Sequence, residues 1–165
     1  CIANYKPELW QLREKEMNFL LSLVTLRQKF LKYFQDGTML KPLPETNKDE
    51  WDEICLSVYA CRKEGGIPCK KRGSLVVSTP WQAFDGSVAL AIANVDEKPR
   101  IFRFVIPLYD WQLPIKGRVF KTTVSVSVEV ATYDWSSPLC ELNLSGLEAC
   151  VLEFQKLEPA RGDKL

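Results

Sequence analysis

Residues 81–95, WQAFDGSVALAIANV, constrain the fold of this chain more than any other stretch. Trp81 and Ala83 alternate on one side of Asp85-Gly86, Val88, Leu90 and Ile92 alternate on the other, and an Asp-Gly pair between two such runs predicts a tight hairpin turn. The stretch is sheet rather than site. Its one acid-base side chain, Asp85, is accounted for by the turn, and Asp96 opens the next one.

Comparable runs cover 38–43, 54–60, 74–84, 87–95, 100–106, 119–130, 139–144 and 149–157, separated by turn residues about every ten positions. The pattern predicts a mainly β fold, an antiparallel β-sandwich of about eight strands. In 119–130 the valines Val124, Val126, Val128 and Val130 alternate with Thr123, Ser125, Ser127 and Glu129, which predicts one strand with a buried and a wet face. Trp81 and the row Val124, Val126, Val128 are expected to face the core. The segment 44–53, PETNKDEWDE, reads as an exposed connection, and 158–165 as a polar, frayed tail.

Ahead of the strands lies one long amphipathic helix, expected over 7–35. Leu9, Leu12, Phe19, Leu20, Leu23, Leu26, Phe30, Leu31 and Phe34 recur at three- and four-residue intervals, with Glu16 interrupting the stripe. Pro7 suits the first turn, and Asp36-Gly37 supplies the stop. Such a helix would run roughly 43 Å, longer than a small sandwich covers. Part of its stripe therefore calls for a further partner.

With 165 residues, 46% of them hydrophobic, the chain suits one core and one domain. A formal net charge of +1 supplies no basic excess for nucleic acid, and Lys70-Lys71-Arg72 reads as a solvated loop. No apolar stretch approaches the roughly 20 residues of a membrane span, and no signal peptide is read at the start. Compartment stays open. Cys1 is read as a chain boundary rather than a lipidated terminus, because a helix is expected at once in place of a polar tether.

The chain has no histidine, which removes the commonest general base, the usual partner of a nucleophilic Ser or Cys, and a leading metal ligand. Six cysteines are spaced C-x5-C-x7-C, from Cys55 through Cys61 to Cys69, then Cys140 and Cys150, with Cys1 apart. Paired C-x2-C zinc spacing is missing, so no metal and no cofactor is assigned. Cys140 and Cys150 sit in apolar strand-like segments as small hydrophobes, and a disulfide among Cys55, Cys61 and Cys69 stays open.

Three Asp/Trp constellations are candidates for carbohydrate contact: Trp51 with Asp52 inside the cluster Asp49, Glu50, Asp52 and Glu53; Asp110 with Trp111; and Trp135 after Asp134. Exposed rings at strand ends would stack on sugar faces, as in a carbohydrate-binding module. The plainer alternative is that each Asp makes a turn and each Trp anchors it on the core. A third possibility is an assembly module whose helix stripe docks on a partner chain. Arg161-Gly162-Asp163 reads as chance in a tail.

One pattern is more specific. The helix carries LxxLRxxFLxYFxxGxMLxP from Leu23 to Pro42, followed by WQAFDGSVALAIANVDEKP and a closing LEACVLEF. Together these resemble the C-terminal end of bacterial glycoside hydrolases of the retaining α-galactosidase-like kind, in which a (β/α)8 catalytic barrel is followed by an antiparallel sandwich. The resemblance implies that 1–37 closes a catalytic barrel, that 38–157 is an accessory sandwich, and that the partners are this barrel and carbohydrate. It assigns no catalytic residue here, because the paired carboxylates of such enzymes lie at barrel strand ends upstream.

Overall fold

The computed structural model describes residues 14–44 and 74–157 in full, and 51–55 and 70–73 by their backbone. Expectations for 7–13, 45–50, 56–69 and 158–165, including Leu9, Leu12, Asp49, Glu50, Cys61 and Cys69, lie outside the described residues. The chain is mainly antiparallel β with a helix at its N-terminal end.

The helix is α1 (Glu14–Lys29), 16 residues or about 24 Å long, and a single further turn, α2 (Leu31–Phe34). The two are separated at Phe30, whose φ of −117° leaves the helical region, so the uninterrupted helix expected up to residue 35 is corrected there. Gly37 closes α2 by donating its N–H to the Tyr33 carbonyl. Among the described residues ten strands follow: β1 (Thr38–Met39), β2 (Trp51–Cys55), β3 (Lys70–Ser74), β4 (Val76–Gln82), β5 (Val88–Asn94), β6 (Arg100–Val105), β7 (Lys116–Thr122), β8 (Ser127–Asp134), β9 (Leu139–Leu144) and β10 (Ala149–Lys156). Six of them form one sheet in the order β1-β4-β5-β10-β7-β8; β6 and β9 form a second, two-stranded sheet facing it, and β2 pairs with β3.

The hairpin of 81–95 is present. Gln82 faces Val88, Gly86 takes the positive φ of 81° that the turn requires, and the Asp85 carboxylate accepts the Ser87 N–H at 2.9 Å. Strand β5 explains its own composition. Val88, Leu90 and Ile92 enter the core between the sheets with Phe102, Phe104, Leu142 and Leu152, while Ala89 and Ala93 lie under the helix with Leu26, Phe30 and Tyr33. Alanines on that face let a helix approach where larger side chains would hold it off. The molecule is thus three layers: helix, six-stranded sheet, two-stranded sheet.

This layering decides which core Trp81, expected to face the core, packs against. Its ring stands on the helix side, edge-on to Phe34 at 5.8 Å, rather than in the core between the sheets. Alternation shows that a strand has two faces, but here both faces are covered.

The single strand expected over 119–130 is two. Strand β7 ends at Thr122, β8 starts at Ser127, and the turn is closed by Thr123 N–H donating to the Val126 carbonyl at 2.8 Å. Val124, Val126 and Val128 are consequently exposed, Val126 at 54%, and not core residues. The Thr123 hydroxyl accepts the Val126 N–H at 3.3 Å, and side-chain bonding of this kind makes a turn with no glycine, proline or asparagine to announce it.

Trp51, Asp52 and Glu53, expected in a connection, lie on β2, where Trp51 pairs with Ser74 and Asp52 with Gly73. Lys70, Lys71 and Arg72, expected in a loop, lie on β3.

Candidate functional site

Two surfaces hold what the sequence singled out. The first is the end of the sandwich where β6 and β8 finish and β7 and β9 begin. Residues 106–115 cross there from the small sheet to the large one, and 135–138 cross back. Val105 pairs with Leu139 in one sheet and Lys116 with Asp134 in the other, and the Ile106 N–H donates to the Pro138 carbonyl at 2.8 Å. The two connections are therefore neighbours.

Of the candidates, Trp111 is corrected. It is 0% exposed, its indole N–H donates to the Lys41 carbonyl at 3.0 Å, and its ring meets Phe154 edge-on at 5.5 Å. A side chain of that size fills the gap left where a loop closes the end of a sandwich. Asp110, beside it, is turned outward and bonds the Lys41 ammonium at 2.9 Å. Trp135 is 73% exposed. The side chains of Trp51 and Asp52 lie outside the described residues, and their strand brings neither to this end by any described contact. Sequence reasoning missed Tyr109, which at 93% exposure is the most open aromatic of this end. The signal was its offset of two from Trp111 in an irregular loop, which carries no periodicity to read.

The carboxylates here have structural partners. Ser136 and Ser137 N–H groups donate to the Asp134 carboxylate at 2.8 and 2.9 Å, and the Ser136 hydroxyl, those N–H groups and Lys116 hold it below the usual carboxylate range. In the other turns Asp85 is lowered first by the Ser87 hydroxyl, and Asp96 by Arg100, whose guanidinium it accepts at 2.6 Å. Burial pushes the Cys140 thiol up to about 11 and Cys150 to about 12, as for packed hydrophobes rather than nucleophiles. Among the described residues no three acidic or cysteine side chains converge on a metal position.

The second surface is α1. Phe19, Leu23, Leu26 and Phe30 face the sheet. Offset from them by two residues, or about 200° around the helix, come Leu21, exposed at 56%, and Val24, with Leu31 beyond the break. On the side away from the sheet α1 therefore exposes an apolar pair, Leu21 and Val24, among polar residues that include Thr25 and Gln28, and the pair has no partner among the described residues. Beside the helix a groove of about 360 Å³ opens over Ala91, Ala93 and Trp81, walled by Leu23, Leu26 and Phe34. None of the described helices is long and apolar enough to cross a membrane.

No protein-family model and no curated protein sequence matches the chain. Among solved structures it is similar to a proposed α-N-acetylgalactosaminidase from Bacillus halodurans C-125, with 13% identity and a TM-score of 0.42 over 53% of this chain and 19% of that one. It is also similar to Abp, a GH27 β-L-arabinopyranosidase from Geobacillus stearothermophilus. A variant in complex with arabinose gives 12% identity and a TM-score of 0.41, covering 53% of this chain and 19% of that one. The wild type gives 16% and 0.39, covering 58% and 20%. These neighbours are glycoside hydrolases, and the chain spans about a fifth of their length.

Proposed function

We propose that this chain is a non-catalytic β-sandwich domain of a larger carbohydrate-active polypeptide, in which the helix region 1–37 is the seam to a catalytic (β/α)8 barrel and 38–157 the accessory sandwich. The observation that carries this reading is the exposed apolar pair Leu21 and Val24 on the side of α1 that faces away from the sheet. A helix buried on one side only keeps its other side polar, and an apolar pair on that side is where a second layer would make contact. An outer helix of a barrel that also backs onto a sandwich lies between two layers. Two further observations agree with it: the carboxylates at the sandwich turns are bonded within their turns or to nearby cations, and the motifs from Leu23 to Pro42 and through 81–99 resemble the barrel-to-sandwich junction of glycoside hydrolases.

The test has two arms. Aryl glycosides and oligosaccharides incubated with the chain alone should remain intact; turnover that disappears in Asp110→Asn or Asp134→Asn would refute the non-catalytic assignment. The chain should also bind a hydrophobic dye or self-associate, and the double change Leu21→Glu, Val24→Glu should abolish this at an unchanged denaturation midpoint. Self-association and dye binding that both survive the double change would remove the seam from this face, and a double variant that unfolds would place Leu21 and Val24 inside the fold.

A further inference from the structure

We propose that Tyr109 and Trp135 form a binding surface for a neutral saccharide at the loop end of the sandwich, on a face distinct from α1. Their two connections run side by side between the same paired strand ends and are tied by the Ile106 to Pro138 hydrogen bond. Both rings are exposed from a fixed backbone. Trp111, wholly buried two residues after Tyr109, pins one connection; its main-chain N–H donates to the Pro107 carbonyl at 3.0 Å, and the Gln112 main-chain N–H donates to the Tyr109 carbonyl at 3.1 Å. The Asp134 carboxylate pins the other through the Ser136 and Ser137 N–H groups. A single exposed ring, such as Phe84, is ordinary on a protein surface, whereas two on neighbouring connections add up to an apolar area.

The surrounding charge narrows what that is. Asp110 is matched by Lys41 at 2.9 Å, and Asp134 by Lys116, its partner across the β7–β8 ladder. Each acid has its own cation, so this end carries no net basic patch of the sort that phosphate backbones or anionic lipid surfaces require. What remains is a locally neutral surface of two aromatic rings with the exposed apolar side chains of Val105, Ile115 and Leu139, edged by the Asp110 carboxylate, the Lys41 ammonium and the Gln112 amide. A pyranose has the complementary chemistry: a C–H face to lie on a ring, and hydroxyls at its edge to bond polar groups in both senses. This surface does not depend on the seam at α1, so either proposal can fail without the other.

The experiment is affinity electrophoresis of the folded chain through gels containing galactomannan, arabinogalactan, xylan or mixed-linkage β-glucan, followed by calorimetry with oligosaccharides of whichever polymer retards it. The wild type should be retarded by at least one, and Trp135→Ala and Tyr109→Ala should each weaken binding roughly tenfold or more. Phe84→Ala, which removes an exposed ring from the β4–β5 turn, should leave it unchanged, and all three variants should keep the wild-type melting temperature. No retardation in any gel would overturn the proposal, as would equal loss in the Phe84 variant. Retardation unaffected by either ring, with Trp135→Ala instead changing the sedimentation coefficient, would make this end a protein contact and overturn it too.

Discussion

The indole N–H of Trp111 donates to the main-chain carbonyl of Lys41, and the carboxylate of the preceding residue, Asp110, takes the ammonium of the same lysine. One dipeptide thus fastens the segment after β1 to the loop between β6 and β7. The two bonds differ in weight. The indole is buried against Phe154, so Trp111→Ala should cost about 3–5 kcal/mol by loss of packed ring and cavity formation. Trp111→Phe should cost less, since it keeps most of the ring area, and what it does cost comes largely from stranding the Lys41 carbonyl. The Asp110 pair is solvent-screened, and Asp110→Asn should leave the denaturation midpoint nearly unchanged. Urea titration of the three variants checks the order.

Tyr133 and Gly117 are cross-strand partners, and a Cβ added at Gly117 would collide with the Tyr133 ring tip and the Gln155 carbonyl. Gly117→Ala should therefore destabilise by about 1–3 kcal/mol, as overpacking does. The buried Tyr133 hydroxyl has no hydrogen-bond partner among the described residues. Tyr133→Phe should accordingly be neutral or slightly stabilising, because it removes a desolvated group while keeping the ring beside Phe154. A marked loss in Tyr133→Phe would mean that the hydroxyl holds an ordered water.

Legibility in the sequence followed local chemistry. The Asp85-Gly86 hairpin and the alternation of β5 were readable because each is settled within about ten residues by turn geometry and side-chain period. The β7–β8 turn was not, since Thr123 builds it with a hydroxyl in a run of β-branched residues that otherwise favour strand. Trp111 and Trp135 look alike in sequence, each following an aspartate near a proline, yet one is core and the other open. That difference depends on what the other sheet and the segment after β1 bring to each loop, which no local pattern contains. The exposed pair Leu21 and Val24 went unread because it falls outside the three- and four-residue stripe by which the amphipathic helix was recognised.

Asn94 ends the apolar run of β5, where it is wholly buried. Its amide donates to the Lys98 and Ser145 carbonyls at 2.9 and 2.8 Å, and its oxygen accepts the Asp96 N–H at 3.1 Å. One side chain therefore joins the β5–β6 and β9–β10 turns. Asn94→Leu should cost about 2–4 kcal/mol, since two carbonyls and an N–H lose their partner together. Asn94→Asp should be worse near neutral pH and recover only in part in acid, because a carboxylate donates to neither carbonyl and its protonated form has one O–H, enough for one of them. Thermal melts at pH 7 and near pH 4 distinguish the cases.

The last prediction concerns the pH limits of stability. Asp85, Asp96 and Asp134 have pKa values lowered from 3.8, so the stability they contribute is present above that value and is lost as pH falls through their folded values. At the other limit the signs reverse. Cys140 and Cys150 are raised from 9.0 to about 11 and about 12, and Tyr133 from 10.0 to about 12, all by burial. Between pH 9 and those folded values the unfolded chain releases protons that the native chain retains, so stability should fall as pH rises from about 9. Replacing both buried cysteines by alanine lowers stability at neutral pH through lost packing, yet should flatten the decline above pH 9, where Tyr133 alone would remain among these three groups. Denaturant midpoints measured at pH 7, 9 and 10.5 for both proteins make the comparison. An alkaline slope as steep in the double variant as in the wild type would show that the buried thiols do not set this limit.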